Sequence, residues 1–116
     1  MAEVVYLPRA SEAVIPHGKL EGYVLNHEHP VGQHKARVFL SALGIDHCNW
    51  QYLRDRLLAG AVSTPVQGTR MTPYGVVYDM VVLVDGLNGA TQPVKMIWMV
   101  KPEAPPRLVS AWVDIP

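Results

Sequence analysis

The spacing of apolar residues changes near Gly60, and this change strongly limits the folds that the chain can adopt. Before Gly60, apolar residues recur every three or four positions, which is the period of an amphipathic helix. After it, short valine-rich stretches alternate imperfectly and are separated by turn residues, a pattern that is typical of β-strands. Helices followed by consecutive strands predict an α+β domain, in which two helices pack on an antiparallel sheet of three or four strands.

Two helices are predicted in the first half of the chain. Pro30 is expected to open the first, because the first helical turn tolerates proline, and Gly44 occupies its C-cap position. Asp46 is the predicted N-cap of a second helix of about fourteen residues. The buried stripe of that helix is expected to consist of Trp50, Leu53, Leu57 and Leu58. Residues 19–25 predict at most one short helical turn, since Gly22 disfavours a helix.

Three strands are predicted in the second half, at residues 75–85, 91–101 and 107–113. Residues 86–89 form a strong turn signal between the first two, and the prolines in 102–106 predict a turn before the third. Residues 61–74 are expected to form a loop. Residues 13–15 are the candidate for a fourth strand.

Both faces of the predicted sheet carry apolar side chains. One face of its first strand presents Tyr78, Met80, Val82 and Val84, and the other presents Val77, Val81 and Leu83. A domain of two layers covers only one face of its sheet. The second face is therefore expected to be closed by a sharp twist of the sheet, or to bind a partner or a second copy of the chain.

Length and charge exclude several classes of protein. The 116 residues predict one domain spanning 1–116, and ten Lys+Arg balance ten Asp+Glu, which excludes a broad electrostatic binder of nucleic acid. One cysteine, Cys48, cannot form an internal disulfide and fits a reducing compartment. The first residues do not resemble a signal peptide, and no apolar stretch is long enough to cross a bilayer. We therefore expect a cytoplasmic protein without membrane contact.

Four of the five histidines lie within residues 27–47, namely His27, His29, His34 and His47. This segment enters the first predicted helix, and backbone N–H groups at such an end attract anions. Lys35 and Arg37 add cationic donors in the same turn. The segment therefore predicts a small site for a phosphodiester or carboxylate. The alternative is purely structural, in that these side chains cap the helix and fix the turn.

Two other chemistries match their sequence signatures less well. A zinc site would take ligands from His27, His29, His34 or His47, but the usual His-Glu-x-x-His and paired Cys-x-x-Cys spacings are absent. A nucleophilic Cys48 beside His47 is disfavoured because adjacent residues do not face each other within a helix. A small buried cysteine is the alternative. We accordingly predict neither a metal nor a cofactor.

The last two predicted strands carry residues that could extend the site. Trp98 and Trp112 would stack on bases if they share an exposed face of the sheet, and would otherwise belong to the core. Arg107 and Ser110 lie on the final strand. They would complete a site with the helix entry if the topology brings the two together.

A family resemblance covers about residues 15–113. The pattern Lys-Leu-x-x-Tyr-x-Leu-Asn-x-x-His-Pro-x-Gly-x-His-Lys-Ala-x-x-Phe, from Lys19 to Phe39, resembles a bacterial family of small domains of unknown function. The end of the chain is similar to that family's closing strand pair. There the family usually has threonine and tyrosine where this chain has Ser110 and Trp112.

The resemblance implies an association with toxins. Members of that family occur alone and at the C-terminal ends of phage head-like and polymorphic-toxin proteins. The layout of helices followed by an antiparallel sheet is also similar to that of the barnase, EndoU, colicin and RelE-like ribonucleases. That second similarity is an analogy of fold only.

Two functions follow as hypotheses. The first is a metal-independent ribonuclease toxin that acts on RNA, with His29 or His34 as acid and base. In it, Lys35 and Arg107 stabilise the charge on the phosphate, and Ser110 orients it. Substrate would also contact Arg37 and Trp112. The second is a non-enzymatic module that pairs through its open sheet face with itself or with a neighbouring gene product. The expected partners are accordingly RNA, a neutralising partner protein or a second copy of the chain.

Overall fold

Two α-helices and four antiparallel strands make up the computed structural model, which describes residues 4–115. The helices are α1, Gln33–Leu43, and α2, Trp50–Ser63. The strands are β1, Gly68–Thr72, β2, Gly75–Asp85, β3, Thr91–Val100, and β4, Arg107–Val113. Their order in the sheet is β1-β2-β3-β4, so each strand pairs with its neighbour in sequence. The predicted α+β fold is confirmed.

Helix α1 begins three residues later than predicted. Pro30 lies in the turn before it, and the N–H groups of Val31 and Gly32 donate to Nδ1 of His29. This side-chain cap holds the turn in place, so regular helical bonding starts only beyond it. At the other end, Gly44 has φ 66°, and the predicted glycine C-cap is confirmed.

Asp46 caps the second helical segment as predicted. Its carboxylate accepts the Cys48 N–H at 2.9 Å, and its own N–H donates to the Asn49 side chain at 3.2 Å. These bonds close a 3-10 turn, His47–Asn49, that runs directly into α2. Leu53 and Leu57 are buried along the helix, whereas Trp50 and Leu58, also predicted to be buried, are only partly covered.

The prediction of a loop over residues 61–74 was wrong. Helix α2 continues to Ser63, and β1 occupies Gly68–Thr72, where it pairs with the first half of β2. The side chains of Thr69, Arg70 and Met71 are exposed on this edge strand. An exposed strand shows no alternation of apolar and polar residues, which is why the sequence pattern missed it.

The fourth strand is therefore β1 and not the segment at residues 13–15. From that segment only Val14 bonds to the sheet, in an isolated parallel bridge to Arg107. Its N–H donates to the Pro106 carbonyl at 2.8 Å, and its carbonyl accepts the Leu108 N–H at 3.0 Å. These bonds cover part of the free edge of β4.

The helices cover one face of the sheet. The core contains Met80, Val82 and Val84 of β2, and Trp98 of β3 is fully buried within it. Trp98 is therefore a core residue and cannot stack on bases. No helix among residues 4–115 has the length and apolar character needed to cross a membrane.

The other sheet face, which we call the open face, has no second layer over it in the described part of the chain. Val77 and Val81 are half-buried there, and Leu83 is 75% exposed. Along β2 this face therefore combines half-buried and exposed apolar side chains. What occupies it is a question of function.

Gly32 is held against the chain that precedes it. It is buried, and a Cβ at this position would overlap the Tyr23 carbonyl group. A Cβ at Gly22, in contrast, would meet nothing within 4 Å. The turn before α1 thus packs on the backbone of Tyr23 in a way that only glycine allows.

We predict that Gly32→Ala lowers the free energy of unfolding by about 1–3 kcal/mol, because the two backbones must move apart. Gly22→Ala is the matched control and should leave stability unchanged or slightly raised. Urea unfolding of the two variants measures the difference. Equal unfolding midpoints would show that the close approach at Gly32 has no energetic importance.

Candidate functional site

Tyr23 lies at the centre of a cluster of polar and aromatic side chains. It belongs to a five-residue π-helical turn, Leu20–Val24, which contacts both α1 and β4. Lys35 of α1 donates from Nζ to the Tyr23 hydroxyl at 3.2 Å, and the same Nζ lies 5.3 Å from the centre of the Tyr23 ring. We call Tyr23, His29, Lys35, Ser110 and Trp112 the Tyr23 cluster.

The ammonium group of Lys35 also faces Trp112, at 5.8 Å from the indole ring. No carboxylate among residues 4–115 lies within 4.0 Å of it. Around it is a shallow groove of about 360 Å³, lined by His34, Lys35, Val38, Trp112 and Val113. A half-buried cation without a partner carboxylate can bind an anion such as phosphate.

His29 packs edge-on against Tyr23, with the two ring centres 4.8 Å apart. Its Nδ1 accepts the backbone N–H groups of Val31 at 3.0 Å and of Gly32 at 2.9 Å. A neutral imidazole that accepts at Nδ1 carries its proton on Nε2. His29 therefore caps the helix entry and keeps an Nε2–H group as a donor.

Ser110 reaches the cluster because β4 is irregular. Trp98 pairs with Leu108 and Ile97 pairs with Ser110, so Val109 is an extra residue in β4. Such bulges change the direction in which neighbouring side chains point. Ser110 is only 9% exposed, and its Oγ has no hydrogen-bond partner within ordinary distance among the described residues.

The electrostatic environment of Tyr23 favours its ionised form. Burial raises the pKa of the phenol, but the nearby Ser110 hydroxyl, the Lys35 hydrogen bond and the charges of Lys35 and Lys19 outweigh it. The net effect is a pKa below the ordinary tyrosine value of 10.0. Lys19 Nζ lies 5.5 Å from the Tyr23 ring, on the residue before the π-helical turn.

Five of the seven candidate site residues lie in or beside the Tyr23 cluster, namely His29, His34, Lys35, Ser110 and Trp112. Arg37 does not, because it lies about 160° around α1 from Lys35 and contacts Gln33 at 3.5 Å. Arg107 begins β4 and is roughly 15 Å along the strand from Trp112. The structure therefore separates these two arginines from the cluster.

Tyr23 and Lys19 were not among the candidate residues. Both belong to the family-like pattern, which was the one available signal. A single π-helical turn has no sequence signature of its own, and Gly22 within it disfavoured a helix prediction. The central position of Tyr23 could be found only from the three-dimensional structure.

The alternative zinc set is not assembled. In the described part of the chain, three possible metal ligands lie within 4.8 Å of one another at Asp46, His47 and Cys48. This group does not include His29 or His34. Cys48 is exposed, so the expectation of a buried cysteine was wrong. Its Sγ lies 3.6 Å from His47 Nε2, since both residues occupy a 3-10 turn and not a regular α-helix.

We predict that Tyr23 ionises at a lower pH than free tyrosine. The tyrosinate absorbance of wild type minus that of Tyr23→Phe reports this group alone. Lys35→Met should move the midpoint upward, because it removes the hydrogen bond and the charge that favour the phenolate. A midpoint at or above that of free tyrosine, or one insensitive to Lys35, would contradict the arrangement.

The same shift predicts a change in stability with pH. The pKa of Tyr23 is lower in the folded state than the ordinary value of 10.0, so folding favours the phenolate. The stabilising contribution grows as pH rises through the folded-state pKa. Wild type should therefore gain stability relative to Tyr23→Phe between neutral and alkaline pH, as measured by urea unfolding.

Comparison with known proteins gives two findings. A family model described as a domain of unknown function, DUF6883, matches residues 6–115. Among solved structures, the chain is similar to one in a contact-dependent growth inhibition toxin–immunity protein complex from Klebsiella pneumoniae 342. That match has a TM-score of 0.66 and 15% identity, and covers 85% of this chain and 97% of that chain. It shows a shared fold alone, and no curated protein matches the sequence.

Proposed function

The chain belongs to the DUF6883 family, a domain of unknown function, and we propose that this member is a metal-independent ribonuclease toxin. The observation that supports this most strongly is the Lys35 ammonium, which lines an open groove, contacts the Tyr23 phenol and the Trp112 indole, and has no carboxylate within 4.0 Å among residues 4–115. An ammonium group beside an aromatic ring suits RNA, because the ammonium can bind the anionic phosphodiester and the ring can stack on the adjacent base.

Cleavage of RNA through its own 2′-hydroxyl needs a base, an acid and a group that stabilises the charge on phosphorus. In the proposed complex, the scissile phosphate occupies the groove with its non-bridging oxygens toward Lys35. Negative charge increases on those oxygens as the 2′-oxygen attacks, so the fixed ammonium stabilises the transition state more than the substrate. A base adjacent to the phosphate stacks on Trp112.

His34 and Tyr23 are suited to move the two protons. His34 is exposed in the groove beside Lys35 and takes the proton of the 2′-hydroxyl. The Tyr23 oxygen accepts from Lys35 and still carries its own proton, which it gives to the leaving 5′-oxygen. The bond from the 2′-oxygen to phosphorus forms and the bond to the 5′-oxygen breaks, leaving a 2′,3′-cyclic phosphate and a 5′-hydroxyl.

His29 and Ser110 have supporting roles in this mechanism. His29 uses Nδ1 to accept two backbone N–H groups, so in this mechanism its Nε2–H donates to a phosphate oxygen and His29 does not act as base. The buried Ser110 hydroxyl lies near the Tyr23 phenol and helps to lower the pKa of that phenol. Both residues thus support the groups that react.

The toxin role is supported by the fold and by the family-like sequence pattern. The similar chain belongs to a toxin–immunity protein complex, in which a toxin is paired with a second protein. A protein that cleaves RNA inside its own cell needs such a neutralising partner. We therefore propose that a cognate protein binds this domain and blocks its groove.

We predict that the wild-type protein cleaves RNA in the presence of EDTA and leaves cyclic-phosphate ends. Lys35→Met should reduce the rate by about 10²–10³-fold, the usual effect of removing one group that stabilises transition-state charge. The charge control is Arg56→Met, since Arg56 is exposed on α2 and does not line the groove.

His34→Gln should lower the rate by about 10²-fold or more through loss of the base. His27→Gln is its matched control, since His27 is also an exposed histidine but does not line the groove. RNA that survives as well with wild type as with buffer, or cleavage that is equal in Lys35→Met and Arg56→Met, would rule out this function.

A further inference from the structure

The strand register places a row of four side chains across the open face. Arg70 of β1 pairs with Val77 of β2, Val77 with Met99 of β3, and Met99 with Arg107 of β4. Directly paired residues of antiparallel strands share a face. The row therefore has an exposed arginine at each end and two half-buried apolar side chains between them.

A second row on the same face leads to the Tyr23 cluster. Val81 pairs with Lys95, and Lys95 pairs with Trp112. Trp112 is the residue whose ring lies under the Lys35 ammonium. The open face and the groove are thus continuous along one edge of the sheet.

The cations on this face are not all neutralised within the described part of the chain. Lys95 is 3.9 Å from Asp79 on the same face, so these two charges offset each other. The other carboxylate on this side of β2, Asp85, lies at the far end of the strand and accepts the Thr91 hydroxyl at 2.7 Å. Within residues 4–115, Arg70 and Arg107 have no carboxylate within 4.0 Å.

We propose that the open face binds single-stranded RNA and directs it toward the Tyr23 cluster, a role that rests on the proposed ribonuclease function. Arg70 and Arg107 contact backbone phosphates, and exposed bases lie against Val77, Met99 and Trp112. The two arginines are about 14 Å apart at their Cα atoms, since three strand spacings separate them. A strand of several nucleotides is therefore needed to reach both.

The apolar side chains between Arg70 and Arg107 favour single-stranded over double-stranded RNA. Bases of a duplex are stacked and paired, so they cannot contact Val77 or Met99, whereas unpaired bases can. A surface that read phosphates alone would not need apolar residues at its centre. The protein as a whole has no net charge, which agrees with a binder that gains affinity from bases as well as from phosphates.

The test is binding of a single-stranded RNA of about ten nucleotides with 2′-O-methyl groups, which cannot be cleaved through its 2′-oxygens. Arg70→Gln/Arg107→Gln should raise the Kd about tenfold or more. It should also make the slope of log K against log salt shallower by about 1.4, or about 0.7 for each phosphate that an arginine no longer neutralises. Arg54→Gln, on α2 and paired with Asp55, is the control and should bind as wild type does.

A second readout separates this proposal from the ribonuclease function. Cleavage of a dinucleotide, which is too short to reach either arginine, should be equal in wild type and the double variant. Binding that is unchanged in the double variant, or equally tight for a duplex of the same length, overturns the proposal that the open face binds single-stranded RNA. If the methylated strand binds in an arginine-dependent way but no RNA is cleaved, RNA binding by the open face is supported and the ribonuclease function is overturned.

Discussion

The hydrogen bond from Lys35 to Tyr23 is the interaction on which the candidate site depends. It joins helix α1 to the π-helical turn before it, and that turn in turn contacts β4. Gly32 allows this arrangement because it lets the helix entry pack directly on the Tyr23 backbone. A helix and a sheet edge thereby bring the Lys35 ammonium and the Trp112 indole to one groove, and the irregular turn holds the Tyr23 phenol against that ammonium.

A net charge of zero in the sequence does not mean that every charged side chain is paired with an opposite charge in the folded protein. Ten cationic and ten acidic side chains give no net charge, yet Lys35, Arg70 and Arg107 are not paired with carboxylates in the described part of the chain. Burial and strand register decide which charges are neutralised locally. An anion site can therefore exist on a neutral protein, at one edge of its sheet.

The order of helices and strands could be predicted because apolar residues record which faces are buried. Strand β1 escaped prediction because its side chains are exposed, and it is held by backbone pairing that leaves no pattern. The clustering of His29, His34 and Lys35 near one helix entry followed from their proximity in sequence. The remote position of Arg107 and the inward turn of Ser110 depend on register and on one bulge, which spacing does not encode.

The most direct test of the Tyr23 cluster as the reactive site is a crystal structure with a 2′-deoxy dinucleotide, which binds as substrate does but lacks the attacking hydroxyl. We expect its phosphate to lie within hydrogen-bond distance of Lys35 Nζ, with one base stacked on Trp112 and the 5′-oxygen near the Tyr23 hydroxyl. A phosphate bound elsewhere, with Lys35 still bonded to Tyr23 alone, would contradict the assignment of the Tyr23 cluster as the reactive site.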